Sequence, residues 1–128
     1  FPFGSVKFVP ALHSSGYEID GVMTYMGEAS GIILEAEDKK IYHAGDTALF
    51  SDMRLFAKDK SIDVAFLPIG DNYTMGPEDA LEAVSYLNPE ITIPIHYNTF
   101  PVIQQNPAIF VEQVVGGKVL NPGETILV

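Results

Sequence analysis

A layered α/β fold with a mixed sheet is what this sequence predicts, and three observations carry that prediction. Between residues 40 and 96, strand-like and helix-like patterns alternate, as they do where helices cover a sheet. Ile62 to Ile69 is nearly all apolar, the mark of a strand buried on both faces. Ahead of it, the short apolar runs Gly31 to Ala36 and Lys40 to His43 flank the polar turn Glu37-Asp38-Lys39. Those two runs read as an antiparallel hairpin, so the sheet should mix strand directions.

Taken in order, Ser5 to Leu12 alternates with Val6, Phe8 and Leu12 on one face and reads as a strand. Pro10 places the end of that strand at an edge or bulge. His13 to Ala29 is polar and contains Gly16, Gly21 and Gly27, and reads as a long lid or binding loop. After the hairpin, Ser51 is placed to cap a short helix with Met53, Leu55 and Phe56 on its apolar side. Gly76-Pro77-Glu78-Asp79 opens a helix, with Pro in its first turn and acids near the positive end of its dipole. Ala80, Leu81, Val84 and Leu87 form its buried stripe, and Asn88-Pro89 ends it. Ile91 to Ile95 reads as another buried strand. Asn106-Pro107 starts a last short helix carrying Ile109, Phe110, Val111 and Val114, and Gly116-Gly117 closes it. Val119-Leu120 and Thr125 to Val128 read as two short final strands around Asn121-Pro122-Gly123.

At 128 residues the chain is one domain's worth of sequence. A net charge of -10 with only seven Lys and Arg argues against a broad nucleic-acid surface and against an anionic membrane. With no cysteine, disulfides and thiolate ligands are excluded, which suits a cytoplasmic protein. No apolar run approaches the roughly 18 residues of a membrane span. The first residue is Phe1, not Met, and the expectation is that the chain begins inside a longer protein.

The chemistry gathers at strand ends. His13 follows the first strand, Asp46 follows the break at Gly45, and His96 follows Ile91 to Ile95. Neutral imidazole and carboxylate are the donors that a borderline divalent ion takes. A carboxylate has two oxygens, so Asp46 can bridge two ions about 3.5–4 Å apart. Taken singly, such residues have plainer uses. A histidine ending a strand is commonly a surface residue, and an Asp after Gly commonly forms a turn. His43 lies three residues before Asp46. Alternation sends the two side chains to opposite faces unless Gly45 kinks the chain, so His43 reads as a packed residue or one that orients a ligand. Asp71 and Asn72, with Tyr73, line the cleft or form a plain polar turn. Glu78, Asp79 and Glu82 read as a solvated helix face.

Ala44-Gly45-Asp46-Thr47, Val64-Ala65-Phe66-Leu67-Pro68-Ile69-Gly70 and Pro94-Ile95-His96-Tyr97 together resemble the metallo-β-lactamase superfamily, and more closely its UPF0173 metal-dependent hydrolases. Val9-Pro10-Ala11-Leu12-His13-Ser14 falls where that family has a metal-binding histidine. The resemblance implies the C-terminal half of an αββα sandwich, with a mixed sheet and helices on its outer face. It also implies a centre of two divalent ions, Zn²⁺ foremost with Mn²⁺ or Ni²⁺ as alternatives. By that likeness His13 resembles a ligand of the first metal, Asp46 the bridging carboxylate and catalytic residue, and His96 a ligand of the second. The family's His-x-His-x-Asp-His motif is absent from this chain. The expected activity is hydrolysis of an ester, amide or phosphodiester by the complete domain. The expected partners are a small-molecule substrate, the N-terminal half of the same domain, and a second copy where an apolar face is left open. The rival reading is a non-catalytic, metal-poor binding or assembly module.

Overall fold

Side chains in a strand alternate between two faces, and the burial of successive residues shows which face is covered. In the computed structural model, which describes residues 1–128, one five-stranded sheet carries the molecule. Its strands are β1 (Ser5–Pro10), β4 (Ser30–Ala36), β5 (Lys39–His43), β6 (Val64–Pro68) and β7 (Ile91–Ile95), side by side in that order. β1, β4 and β5 pair antiparallel, whereas β5, β6 and β7 run parallel. The sheet is therefore mixed, as the sequence implies. Two helices follow the parallel strands: α1 (Pro77–Leu87) and the short α2 (Pro107–Val111). No helix is long and apolar enough to cross a membrane.

Register assigns the faces. Lys7 pairs with Ile33, Ile33 with Tyr42, and Tyr42 with Ala65. This face is covered: Ile33, Tyr42, Ala65, Leu67 and Ile69 pack with Met53, Ala80, Ala83, Leu87, Phe110 and Val114 in one core. The opposite face holds Phe8, Ile32, His43, Phe66 and Ile93 in mutual register. No helix covers it. Phe8 is 73% and Ile32 36% exposed there. Over β6 and β7 the same face is better protected. Val64 and Ile93 are buried, and the C-terminal turn Leu120–Glu124 faces Phe66, Ile93 and Ile95 across an open cleft.

Four local expectations are corrected. The loop from His13 to Ala29 contains a hairpin of its own, β2 (Gly16–Ile19) with β3 (Val22–Tyr25). Asp20 and Gly21 both take positive φ, 49° and 78°, which is the two-residue turn whose twist matches the strands it joins. Ser51 does not cap a helix. Residues Ser51–Ala57 form a 3-10 helix capped by Phe50, closed by bonds such as Met53 N–H to Phe50 O and Lys58 N–H to Leu55 O. Its Met53 is buried, but Leu55 is exposed. α2 is shorter than expected, though Asn106 does cap it by accepting the Ala108 N–H at 3.1 Å.

Finally, Val119-Leu120 and Thr125 to Val128 form no strands. β7 is an edge strand, and Thr92 exchanges bonds with Gly116 and Lys118 on its outer side. Pro94, two residues on, points the same way and has no N–H to donate, so the ladder stops there.

Candidate metal site

Each candidate residue sits where a strand of the sheet ends. β5 finishes at His43, and Ala44 N–H still donates to Phe66 O at 3.0 Å. The chain then breaks at Gly45, whose φ is +67°. A Cβ there would lie 2.9 Å from Ser30 O, so both the conformation and the space call for glycine. The break delivers Asp46, half-exposed, to the end of the sheet. His96 follows β7 with a positive φ of 54°. Gly70 at the end of β6 makes room for it, since a Cβ on Gly70 would lie 2.3 Å from His96 O.

These turns bring His96 Nε2 within 3.6 Å of Asp46 Oδ2. That is too long for a hydrogen bond. It matches two donors on one ion, because bonds of about 2.0–2.2 Å at a tetrahedral angle leave the donors about 3.3–3.6 Å apart. His96 Nδ1 is buried beside Gly70 without a hydrogen-bond partner. An imidazole nitrogen and a carboxylate oxygen at this spacing fit a borderline divalent ion.

His13 reaches the same end of the sheet through the backbone. Leu12 N–H donates to Thr47 Oγ1 at 2.9 Å, and Ala48 N–H donates to Leu12 O at 3.0 Å. His13 itself is half-buried, with its Nδ1 2.8 Å from Ser14 O. No group of three or more His, Asp or Glu side chains that could hold a metal forms within the chain. Of the three expected ligands, the structure brings two together and leaves the third beside them.

His43 lies on the uncovered face, its ring stacked on Phe66 at 5.5 Å between centroids. The kink at Gly45 does occur, and it leaves Asp46 near enough for its charge to act on the imidazole. Burial lowers the pKa of His43 below its ordinary value, and the Asp46 charge opposes that shift without cancelling it. Asp71 and Asn72 are exposed, both with positive φ. Asp71 Oδ1 accepts the Asn72 N–H at 2.7 Å, the mark of a polar turn. Asp71 also lines an open cleft of about 440 Å³ with Glu78, Asp79 and Gln105. The loop is tied to the Asp46 turn, because Met75 N–H donates to Thr47 O at 2.9 Å.

Two residues of the site were not singled out from the sequence. Thr47, fully buried, links the ends of β1 and β5. Gly70 clears the space for His96. Thr47 stands directly after Asp46 and Gly70 at the close of the buried β6 run, and their residue types were the available signal.

This mixed sheet with helices on one face is the architecture of the β-lactamase superfamily. The beta-lactamase superfamily domain pattern matches residues 1–97, and the chain belongs to that family. Among curated proteins it is 98% identical over 128 residues to a UPF0173 metal-dependent hydrolase of Enterococcus faecalis, and 55% identical over 130 residues to one of Bacillus cereus. It covers 57% of the length of each, so it spans little more than half of its relatives. Among solved structures it is similar to Igni18, a metallo hydrolase of Ignicoccus hospitalis, with TM-score 0.81 and 39% identity over 94% of this chain and 51% of that one. A metal-dependent hydrolase structure from Parabacteroides distasonis follows, with TM-score 0.66 and 25% identity over 93% of this chain and 50% of that one.

Proposed function

We propose that this chain is the C-terminal portion of a single metal-dependent hydrolase domain whose centre takes two divalent ions, Zn²⁺ foremost, with Mn²⁺ or Ni²⁺ as alternatives. The observation that carries the proposal is the 3.6 Å separation of Asp46 Oδ2 and His96 Nε2 at adjoining strand ends. Asp46, with two oxygens, would bridge the ions, His96 would hold one through Nε2, and His13 would hold the other. When bound, such ions act as Lewis acids and bring the pKa of water down to ~7. This chain's own part is to hold the donors still. Gly45 turns Asp46 out, Gly70 admits His96, and Thr47 ties the His13 strand end to the Asp46 turn. The substrate class is a small molecule with an ester, amide or phosphodiester bond.

Two or three ligands make an open site, so the remaining donors would come from an upstream segment packed on the uncovered face. The relatives' greater length supports that reading. The test is Asp46→Asn in the polypeptide at full relative length. It keeps the shape and removes the charge that offsets two cations. Metal per chain, measured by elemental analysis, should fall, and hydrolysis of any working substrate should drop by orders of magnitude. Metal-free thermal stability should stay level or rise, because a carboxylate crowded by other ligands is relieved. Unchanged metal stoichiometry would count against a bridging role for Asp46.

A further inference from the structure

We propose that His43 is a positioning residue for Asp46: its Nδ1 accepts the Gly45 N–H and so holds the turn that presents the carboxylate. The inference rests on the reading of Asp46 as a metal ligand and deepens it. Gly45 N lies 3.1 Å from His43 Nδ1. That bond spans two residues and closes a small ring across Ala44, as an Asn or Asp side chain does when it bonds the backbone two residues on. It acts where the chain most needs holding. Gly45 has φ +67°, and glycine in that region gives up more conformational freedom than any other residue. Without a restraint, the peptide before Asp46 is free to swing, and the carboxylate swings with it.

The ring is itself well held. It pairs in register with Ile32 on one side and Phe66 on the other, and stacks on Phe66 with 23° between the planes. Accepting the Gly45 N–H requires a bare Nδ1, which fixes the proton of the neutral ring on Nε2. Burial, which disfavours the charged ring, works in the same direction. The residue acts through the backbone, and nothing in this role requires it to touch metal or substrate.

Three substitutions in the full-length polypeptide separate this role from mere packing. His43→Phe keeps an aromatic ring on Phe66 and removes the acceptor. His43→Asn removes the ring and keeps an acceptor in the δ1 position. Asp46→Asn reports on the ligand itself. Zn²⁺ affinity should fall about 10–100-fold in His43→Phe, the usual loss when a ligand's supporting bond is removed. It should stay within about threefold of the parent in His43→Asn. In metal-free protein, hydrogen exchange at the Gly45 amide should be about tenfold faster in His43→Phe and unchanged in His43→Asn. A His43→Phe protein that binds Zn²⁺ as the parent does, or a His43→Asn protein as weak as His43→Phe, overturns the inference. If Asp46→Asn loses metal and His43→Phe does not, only the positioning role fails. If Asp46→Asn keeps its metal, the ligand reading fails and the positioning role with it.

Discussion

Thr47 brings no charge to the site, yet two strand ends depend on it. Its hydroxyl accepts the Leu12 N–H at 2.9 Å and donates to Ala48 O at 2.8 Å in a fully buried position. Thr47→Val keeps the shape and leaves the Leu12 N–H without its acceptor. A stranded donor of this kind costs about 1–3 kcal/mol, so the urea midpoint should fall accordingly. An unchanged midpoint would mean that water replaces the hydroxyl. At this scale the sequence was informative where residue type and place agreed. Gly45 before Asp46 marked the break, and its +67° φ is the kink that alternation alone would not supply. The orientation of His13 was not legible. Its ring turns to the neighbouring Ser14 O at 2.8 Å, a local choice that strand alternation does not prescribe.

Among elements, the buried parallel strands were the most legible, because a long apolar run allows few alternatives. The β2–β3 hairpin was hidden by the composition around its turn. Asp20-Gly21 lies between Tyr17–Ile19 and Val22–Tyr25, which is a hairpin signal, but the surrounding glycines and polar residues gave the whole stretch a loop-like composition. The failed C-terminal strands show the converse case. Their residues suit a strand, and the missing N–H of Pro94 on the β7 edge leaves them no ladder to join.

The junction of β5 and β6 offers a further test. Asp63 Oδ2 accepts the Lys40 N–H at 2.8 Å, and its Oδ1 lies 3.0 Å from Lys39 Nζ. Burial pushes the Asp63 pKa up, but the Lys40 N–H, the Lys39 ammonium and the more distant Lys60 together outweigh it and hold the group below 3.8. The unfolded chain therefore binds the proton more readily. Stability from Asp63 is present above pH 3.8 and is lost as pH falls through the lower, folded value. In urea melts between about pH 6 and pH 3, the parent should lose its advantage over Asp63→Asn toward the acid end. Parallel curves would mean that the carboxylate titrates alike in both states.

At the scale of the whole molecule, the sheet is finished on one side only. Helices and the 3-10 segment cover the face of Tyr42 and Leu67, while Phe8 and Ile32 stand open on the other. A sheet half covered in this way is expected to associate, and burying side chains of this size is worth about 1.5–3 kcal/mol each. Residues 1–128 purified alone should therefore run above monomer mass in light scattering and bind Zn²⁺ weakly. Phe8→Glu with Ile32→Glu should return the segment to a monomer by making the open face polar. Added upstream segment should dissolve the self-association of the parent and raise its metal content, and should do neither for the double variant, because the face that joins copies is the one it must cover. If the upstream segment restored metal to the double variant as fully as to the parent, the remaining ligands would have to arrive by another side of the sheet. A parent segment that stayed monomeric and held two ions tightly on its own would show that this chain closes its site unaided.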